Sequence, residues 1–271
     1  MTLIAAQKSI NLPRSIALTG CVLLALSGNG VSGKAAAEVR SGNKTFAEWC
    51  REKDSLSPEA KHTVEVLLQQ AETNECDAAD RKLSSLTALF LIDAQISEIK
   101  PLQSLTNLIT LYVSYNLVSD IKPLASLTNL ITLSVGNNLV SDIKPLASLT
   151  NLTTLQLNNN LVSDIKPLES LTNLTWLDIS NNLVSDIKPL ESLTKLTWLD
   201  LNNNKISEIK PLLSLTKLAA IDLENNQIND IKPLQSLTNL TWLQLSGNPI
   251  APKTCPLKPE FICKWEAPTK P

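Results

Sequence analysis

Residues 138–160 read Asn-Leu-Val-Ser-Asp-Ile-Lys-Pro-Leu-Ala-Ser-Leu-Thr-Asn-Leu-Thr-Thr-Leu-Gln-Leu-Asn-Asn-Asn, and the same unit recurs on both sides of this stretch. Proline returns every 22 residues, at Pro101, Pro123, Pro145, Pro167, Pro189, Pro211 and Pro233. Asparagine keeps the same period at Asn116, Asn138, Asn160, Asn182, Asn204, Asn226 and Asn248. A fixed period of this size marks a solenoid, in which each unit stacks on its neighbours. An atypical copy, Leu86-x-x-Leu89-x-Leu91-x-x-Ala94, opens the array with alanine where asparagine is expected. The array therefore holds eight units.

Each unit can be read position by position. Side chains alternate along a short strand, so Leu111 and Val113 are predicted to point inward while Thr110, Tyr112 and Ser114 point out. Leu102, Leu105, Leu108, Val118 and Ile121 complete the inward set. A lone unit cannot bury them, whereas stacked neighbours can, at about 1.5–3 kcal/mol for each side chain. The recurrent asparagine sits where the chain leaves the strand. Its amide is suited to unpaired backbone groups of the turn and of the next coil. Pro-Leu-x-Ser-Leu-Thr fits a short helical or 3-10 turn on the back, with proline at its first position. Eight strands at about 4.7–4.9 Å spacing give a sheet roughly 34 Å across.

The Leu-x-x-Leu-x-Leu-x-x-Asn core of the unit resembles the leucine-rich repeat. The fuller consensus, IxDIxPLxxLTNLxxLxLxxN, is similar to the bacterial internalin type and to a related repeat in a eukaryotic phosphatase-regulating protein. This resemblance covers about Leu83 to Asn248. It implies an α/β repeat fold, a right-handed solenoid whose parallel strands line a concave sheet, and a scaffold that binds proteins rather than a catalyst. The chain departs from the internalins by ending soon after the repeats, without an immunoglobulin-like segment or a sorting tail. A short secreted form is the expectation.

The flanks divide as 1–37, 38–82, 83–248 and 249–271. Lys8 and Arg14 precede the apolar run Ile16–Leu26, and Ala35-Ala36-Ala37 offers small residues for cleavage, so 1–37 reads as a signal peptide. That run is shorter than the ~20 residues a membrane span needs. Leu18-Thr19-Gly20-Cys21 has the look of a lipoprotein box, but the strongest apolar residues follow Cys21, and lipidation is the lesser reading. Gly28 to Lys34 matches G-x4-G-K without the following Ser/Thr, and it lies in the leader. Residues 38–82 read as a helical cap. Thr45–Lys53 and Pro58–Glu72 are its two helices, with Ser57 as N-cap and Ala60, Val64, Leu67, Leu68 and Ala71 on one face. Residues 249–271 form a short C-terminal cap. Phe46, Trp49, Phe261 and Trp265 are assigned to cap packing, and His62 to the surface.

Cysteine usage agrees with export. Four cysteines outside the leader allow three pairings, and a long cysteine-free stretch separates Cys50 and Cys76 from Cys255 and Cys263. Cys50–Cys76 and Cys255–Cys263 are the expected bridges, in an oxidising compartment.

Composition excludes several functions. Lys+Arg 24 against Asp+Glu 26 gives a net charge of -2, too little basic excess for a nucleic-acid binder. A single His and a single Met leave no stock for a His-based metal site or triad, so no metal, cofactor or catalytic residue is assigned. Acids at Glu98, Asp120, Asp142, Asp164, Asp186, Glu208 and Asp230 stand two residues before lysines, from Lys100 to Lys232. The stripe is near neutral and serves solubility. Ser192-x-x-Lys195 and Ser214-x-x-Lys217 match an acyl-transfer motif but occupy equivalent repeat positions.

The concave face carries the information. Its first outward column runs Ala88, Thr110, Thr132, Thr154, Trp176, Trp198, Ala220, Trp242. The second runs Phe90, Tyr112, Ser134, Gln156, Asp178, Asp200, Asp222, Gln244, and the third ends in Asn202, Glu224 and Ser246. Residues 116–133 and 138–155 differ at one position, so variation at these outward positions stands out. Exposed tryptophan is a hot-spot residue at interfaces. The predicted partner-binding residues are Trp176, Trp198, Trp242, Asp178, Asp200, Asp222, Glu224 and Tyr112, and the predicted partner is a basic protein. A glycan stacked on Trp176 and Trp198 is the alternative. An enzyme using the Asp178–Asp200–Asp222 column is a remote third, disfavoured by an open face with nothing to raise a pKa. Leu117, Leu139, Leu161 and Leu183 form either a solvent-facing apolar strip or turn packing.

Overall fold

The structure, a computed structural model, describes residues 44–266. Helix α1 (Phe46–Arg51) starts at Thr45, whose hydroxyl accepts the Glu48 N–H while the Glu48 carboxylate accepts the Thr45 N–H. This reciprocal cap fixes a helix of only six residues. Helix α2 (Pro58–Ala71) is capped by Ser57, with Pro58 in its first turn. Its buried face holds the five expected apolar residues and also Thr63. A third helix, α3 (Cys76–Ser84), was not expected, and it runs into the start of the stretch assigned to the repeats. Its N-cap residue Glu75 makes no side-chain cap bond, so no local signal announces it. A disulfide ties Cys50 of α1 to Cys76 of α3, with Cα atoms 5.6 Å apart.

A single parallel sheet follows. Its strands are β1 (Ala88–Phe90), β2 (Thr110–Tyr112), β3 (Thr132–Ser134), β4 (Thr154–Gln156), β5 (Trp176–Asp178), β6 (Trp198–Asp200), β7 (Ala220–Asp222), β8 (Trp242–Gln244) and β9 (Cys263–Lys264). They lie in chain order, and each of the first eight pairs with equivalent positions one repeat away. Strands β1 to β8 recur at the 22-residue spacing of the repeat. The ninth strand comes from the C-terminal segment, pairs in parallel with β8, and is held by the Cys255–Cys263 disulfide. The sequence offered no repeat pattern there to reveal it.

Between strands the chain crosses the back in 3-10 turns that begin at the repeat lysine with proline next, as at Lys122–Ser126 and Lys144–Ser148. Leu111, Leu133 and Leu155 are fully buried, as are Val118, Ile121, Leu124, Leu127 and Leu130. One continuous apolar core runs from α1 through every repeat to Cys263.

The asparagine ladder sets the spacing of the coils. Asn160 Nδ2 donates to Leu157 O (3.0 Å) and Asn158 O (3.3 Å) of its own turn, and to Val135 O (3.0 Å) of the coil before. Its Oδ1 accepts the Val140 N–H at 2.9 Å. Each asparagine thus serves the preceding coil, not the following one as expected. That direction explains Ala94: the first unit has no preceding coil to bond. The N-terminal helices take over there. Thr63 Oγ1 donates to Glu98 O at 2.6 Å, and His62 Nε2 lies 2.8 Å from Ala94 O. His62 is accordingly half-buried against the first repeat, not at the surface. Phe46 and, in part, Trp49 and Trp265 pack on the core, whereas Phe261 is 72% exposed and packs no cap.

Candidate interaction face

Each short strand buries its middle residue and presents its first and third on the outer face of the sheet. The strand register makes those positions into straight columns. Trp176 and Trp198 are register partners on β5 and β6, and their rings stack with centroids 4.2 Å apart and planes within 1°. Both are half-buried. Part of the tryptophan surface is therefore spent on neighbour stacking, and part remains solvent-facing. Trp242 does not join the stack: Ala220 on β7 stands between it and Trp198.

Beside the tryptophans lie Asp178, Asp200 and Asp222, also in register. One oxygen of each turns back on its own strand end. Asp178 Oδ1 accepts from Ser180 N (3.0 Å) and Ser180 Oγ (2.6 Å). Asp200 Oδ1 accepts from Asn202 N (2.9 Å) and Nδ2 (2.7 Å), and Asp222 Oδ1 from Glu224 N (2.9 Å). Such bonds favour the charged form, but burial outweighs them. Burial holds the carboxyl of Asp178 above the usual range despite its Ser180 bonds. Burial pushes Asp200 up to about 8, with the charges of Asp178 and Asp222 adding to the rise. Asp222 is raised by burial too, and the Glu224 charge contributes. Two expectations change. The face does have something to raise a pKa, and near neutral pH the column carries less negative charge than its composition implies. Glu224 joins the group through Ser246 Oγ, which donates to its Oε1 at 2.7 Å.

The remaining face divides in two. In the middle, Ser114, Ser134 and Gln156 bond to one another at 2.6 and 2.5 Å, forming a self-satisfied polar floor. At the N-terminal end, Phe90 stacks on Tyr112 with centroids 5.2 Å apart, and Phe90 is 54% exposed. Phe90 stands in the second sequence column, where only Tyr112 carries an expected role, and Ile92 on the same unit is exposed as well. Their position on the first unit, where no preceding strand covers them, was the signal.

Other expectations resolve outside this face. Leu117, Leu139, Leu161 and Leu183 are 41–56% exposed, so the strip faces solvent. The acid ladder on the back caps the 3-10 turns: Asp120, Asp142, Asp164, Asp186 and Asp230 each accept the N–H of the lysine two residues on. Ser192 and Ser214 donate their hydroxyls to backbone carbonyls, and Lys195 bonds Asn173, so neither S-x-x-K pair meets. Among the described residues, no group of three His, Cys, Asp or Glu side chains is placed to hold a metal ion.

A family model described as Leucine Rich repeats (2 copies) matches residues 128–170, 172–214 and 194–237. The array is built of leucine-rich repeats. Its repeats are structurally similar to internalin C2 of Listeria monocytogenes, at 28% identity and a TM-score of 0.70, covering 79% of this chain and 96% of that one. A leucine-rich repeat protein of Leptospira interrogans, LIC12759, aligns at 28% identity and 0.60 over 70% of this chain and 50% of its own. Internalin F of Listeria aligns at 29% identity over 73% of this chain and 72% of that one, with a TM-score of 0.46. No curated protein matches the chain. The internalin-like repeat architecture is thus a scaffold, of a kind generally without enzymatic activity.

Proposed function

We propose that this leucine-rich repeat protein is exported and binds a protein partner on the C-terminal half of its outer sheet face. The observation that carries the reading is the half-buried Trp176–Trp198 stack beside a column of desolvated carboxylates. Rigid aromatic area and partly dehydrated polar groups in one place are what an interface hot spot uses. Trp242, Asp222 and Glu224 extend the site along the sheet, and Tyr112 belongs to its far end. The middle floor offers less grip, because the Ser114 and Ser134 hydroxyls and the Gln156 carbonyl are engaged with one another.

The favoured partner is basic. A cation brought to the face draws Asp200 toward its charged form and relieves the crowding of Asp178 and Asp222. Export rests on residues 1–37 as a cleaved signal peptide, which lie outside the described residues, and on two disulfides that suit an oxidising compartment. The lipid anchor at Cys21 also lies outside them and is the lesser reading. No helix among the described residues is long and apolar enough to cross a membrane. Of the expected cap segments 38–82 and 249–271, the described residues 44–82 and 249–266 act as caps at the two ends of the core.

A glycan on the tryptophans is the second reading, favoured by the uncovered outer face of the stacked rings and the neighbouring carboxylates. The test compares capture by the immobilised protein, its Trp198→Ala variant and its Thr132→Ala variant, against both extracellular proteins and a glycan array. Protein capture lost with Trp198→Ala and kept with Thr132→Ala supports the proposal. Trp198-dependent glycan binding without protein capture replaces it with the second reading.

A further inference from the structure

We infer that the gap over Ala220, between Trp198 and Trp242, is a slot for an arginine side chain of the partner. The inference rests on the docking reading above and names its chemistry. Trp176 and Trp198 sit on adjacent strands with parallel rings, so each ring faces its neighbour along the strand-to-strand direction. One face of Trp198 is taken by Trp176. The other looks toward β7, whose residue in register is Ala220, a single methyl. Trp242 holds the next register position on β8, two strand steps or about 9–10 Å from Trp198, and bounds the gap on that side. One planar group packed between two walls at carbon contact distance occupies about 7–8 Å. The gap therefore admits one planar group and is too narrow for two.

Charge selects among planar groups. Asp200 and Asp222 stand two residues further along β6 and β7, about 6.6 Å from the slot along the strands. Each holds its own strand end with Oδ1, and a carboxylate has capacity for further donors. A guanidinium satisfies both demands: it stacks on tryptophan faces and carries five N–H donors in a planar fork. An ammonium is a compact, strongly hydrated point charge that does not stack. A neutral aromatic ring fills the slot but brings no cation to draw Asp200 and Asp222 to their charged forms. The array itself underlines the gap, because tryptophan at position 220 would continue the ladder from 176 to 242 without a break.

The test is selection of random displayed peptides on the purified exported protein, followed by affinity measurements on four variants. Peptides recovered are expected to share an arginine, and its replacement by lysine is expected to weaken binding at least ~10-fold. Ala220→Trp, which fills the slot, is expected to weaken binding at least ~30-fold, as is Trp198→Ala. Thr132→Trp, which adds the same bulk elsewhere in the column, and Thr132→Ala leave binding unchanged. Thermal midpoints confirm that each variant is folded. Peptides without arginine, lysine replacing it freely, undiminished binding to Ala220→Trp, or no enriched peptide at all overturns the slot. Loss with Trp198→Ala but not with Ala220→Trp removes the slot and leaves the docking reading standing. Full binding by both variants removes the docking reading as well.

Discussion

Replacing Asn160 by alanine tests how the coils are held in register. Asn160 is buried and central, with a repeat of the same design on each side. Four hydrogen bonds are lost, but their consequences are unequal. Val135 O keeps the Asn138 amide at 3.1 Å, and Leu157 O keeps the Asn182 amide at 2.9 Å. Asn158 O keeps the Asn137 N–H at 2.8 Å. Only the Val140 N–H loses its acceptor, and a buried donor left unsatisfied costs about 1–3 kcal/mol. With the smaller losses at the shared carbonyls, Asn160→Ala is expected to destabilise by ~3 kcal/mol. Asn151 is the comparison: it is exposed and donates a single bond to Thr128 O, so Asn151→Ala costs ~1 kcal/mol or less. Urea denaturation followed by circular dichroism reads both, with the slope checked for loss of cooperativity in a repeat array. Equal costs for the two substitutions refute the orphaned-donor argument.

Three further outcomes follow from the same structure. Asp200 has a folded pKa of about 8 against 3.8 for an ordinary aspartate, so between these values the folded state holds a proton the unfolded chain releases. Its contribution to stability is full below about pH 4 and lost as pH rises through 8. Asp200→Asn should therefore raise the thermal midpoint more at pH 8 than at pH 5, and an equal shift at both contradicts the burial argument. Tyr115 holds φ 60° where later repeats place Asn or Gly, so Tyr115→Asn is expected to stabilise by ~0.5–1 kcal/mol in urea titrations. Thr63→Val keeps the shape of a buried residue but removes the donor to Glu98 O, for an expected loss of ~1–2 kcal/mol by the same assay.

Much of this was legible because a repeat writes its own structure many times. The alternation at Leu111 and Val113, the prolines of the back turns and the turn position of Asn116 follow from period and side-chain chemistry alone. Three features did not. Helix α3 lacks a capping side chain and has a short, charged sequence. Strand β9 is two residues outside the repeat, paired only because the chain returns to the open edge of β8. The sharing of asparagine bonds with the preceding coil needs coordinates, since sequence order gives the same ladder either direction. At the site, the tryptophan and aspartate columns were readable from spacing. The pKa of Asp200 was not, because it depends on how deeply neighbouring side chains bury a position that alternation marks as outward. Nor did the columns alone show that Trp176 pairs with Trp198 while Trp242 stands apart.

The docking claim is tested most directly by hydroxyl-radical footprinting of the captured complex, because aromatic reporters sit at both ends of one face. Trp176, Trp198 and Trp242 report on the C-terminal half, and Phe90 and Tyr115 on the N-terminal end. Partner binding is expected to protect Trp198 and Trp242 most, leaving Phe90 and Tyr115 as reactive as in the free protein. Protection of Phe90 and Tyr115 with unchanged tryptophans contradicts the account and moves the interface to the first repeats.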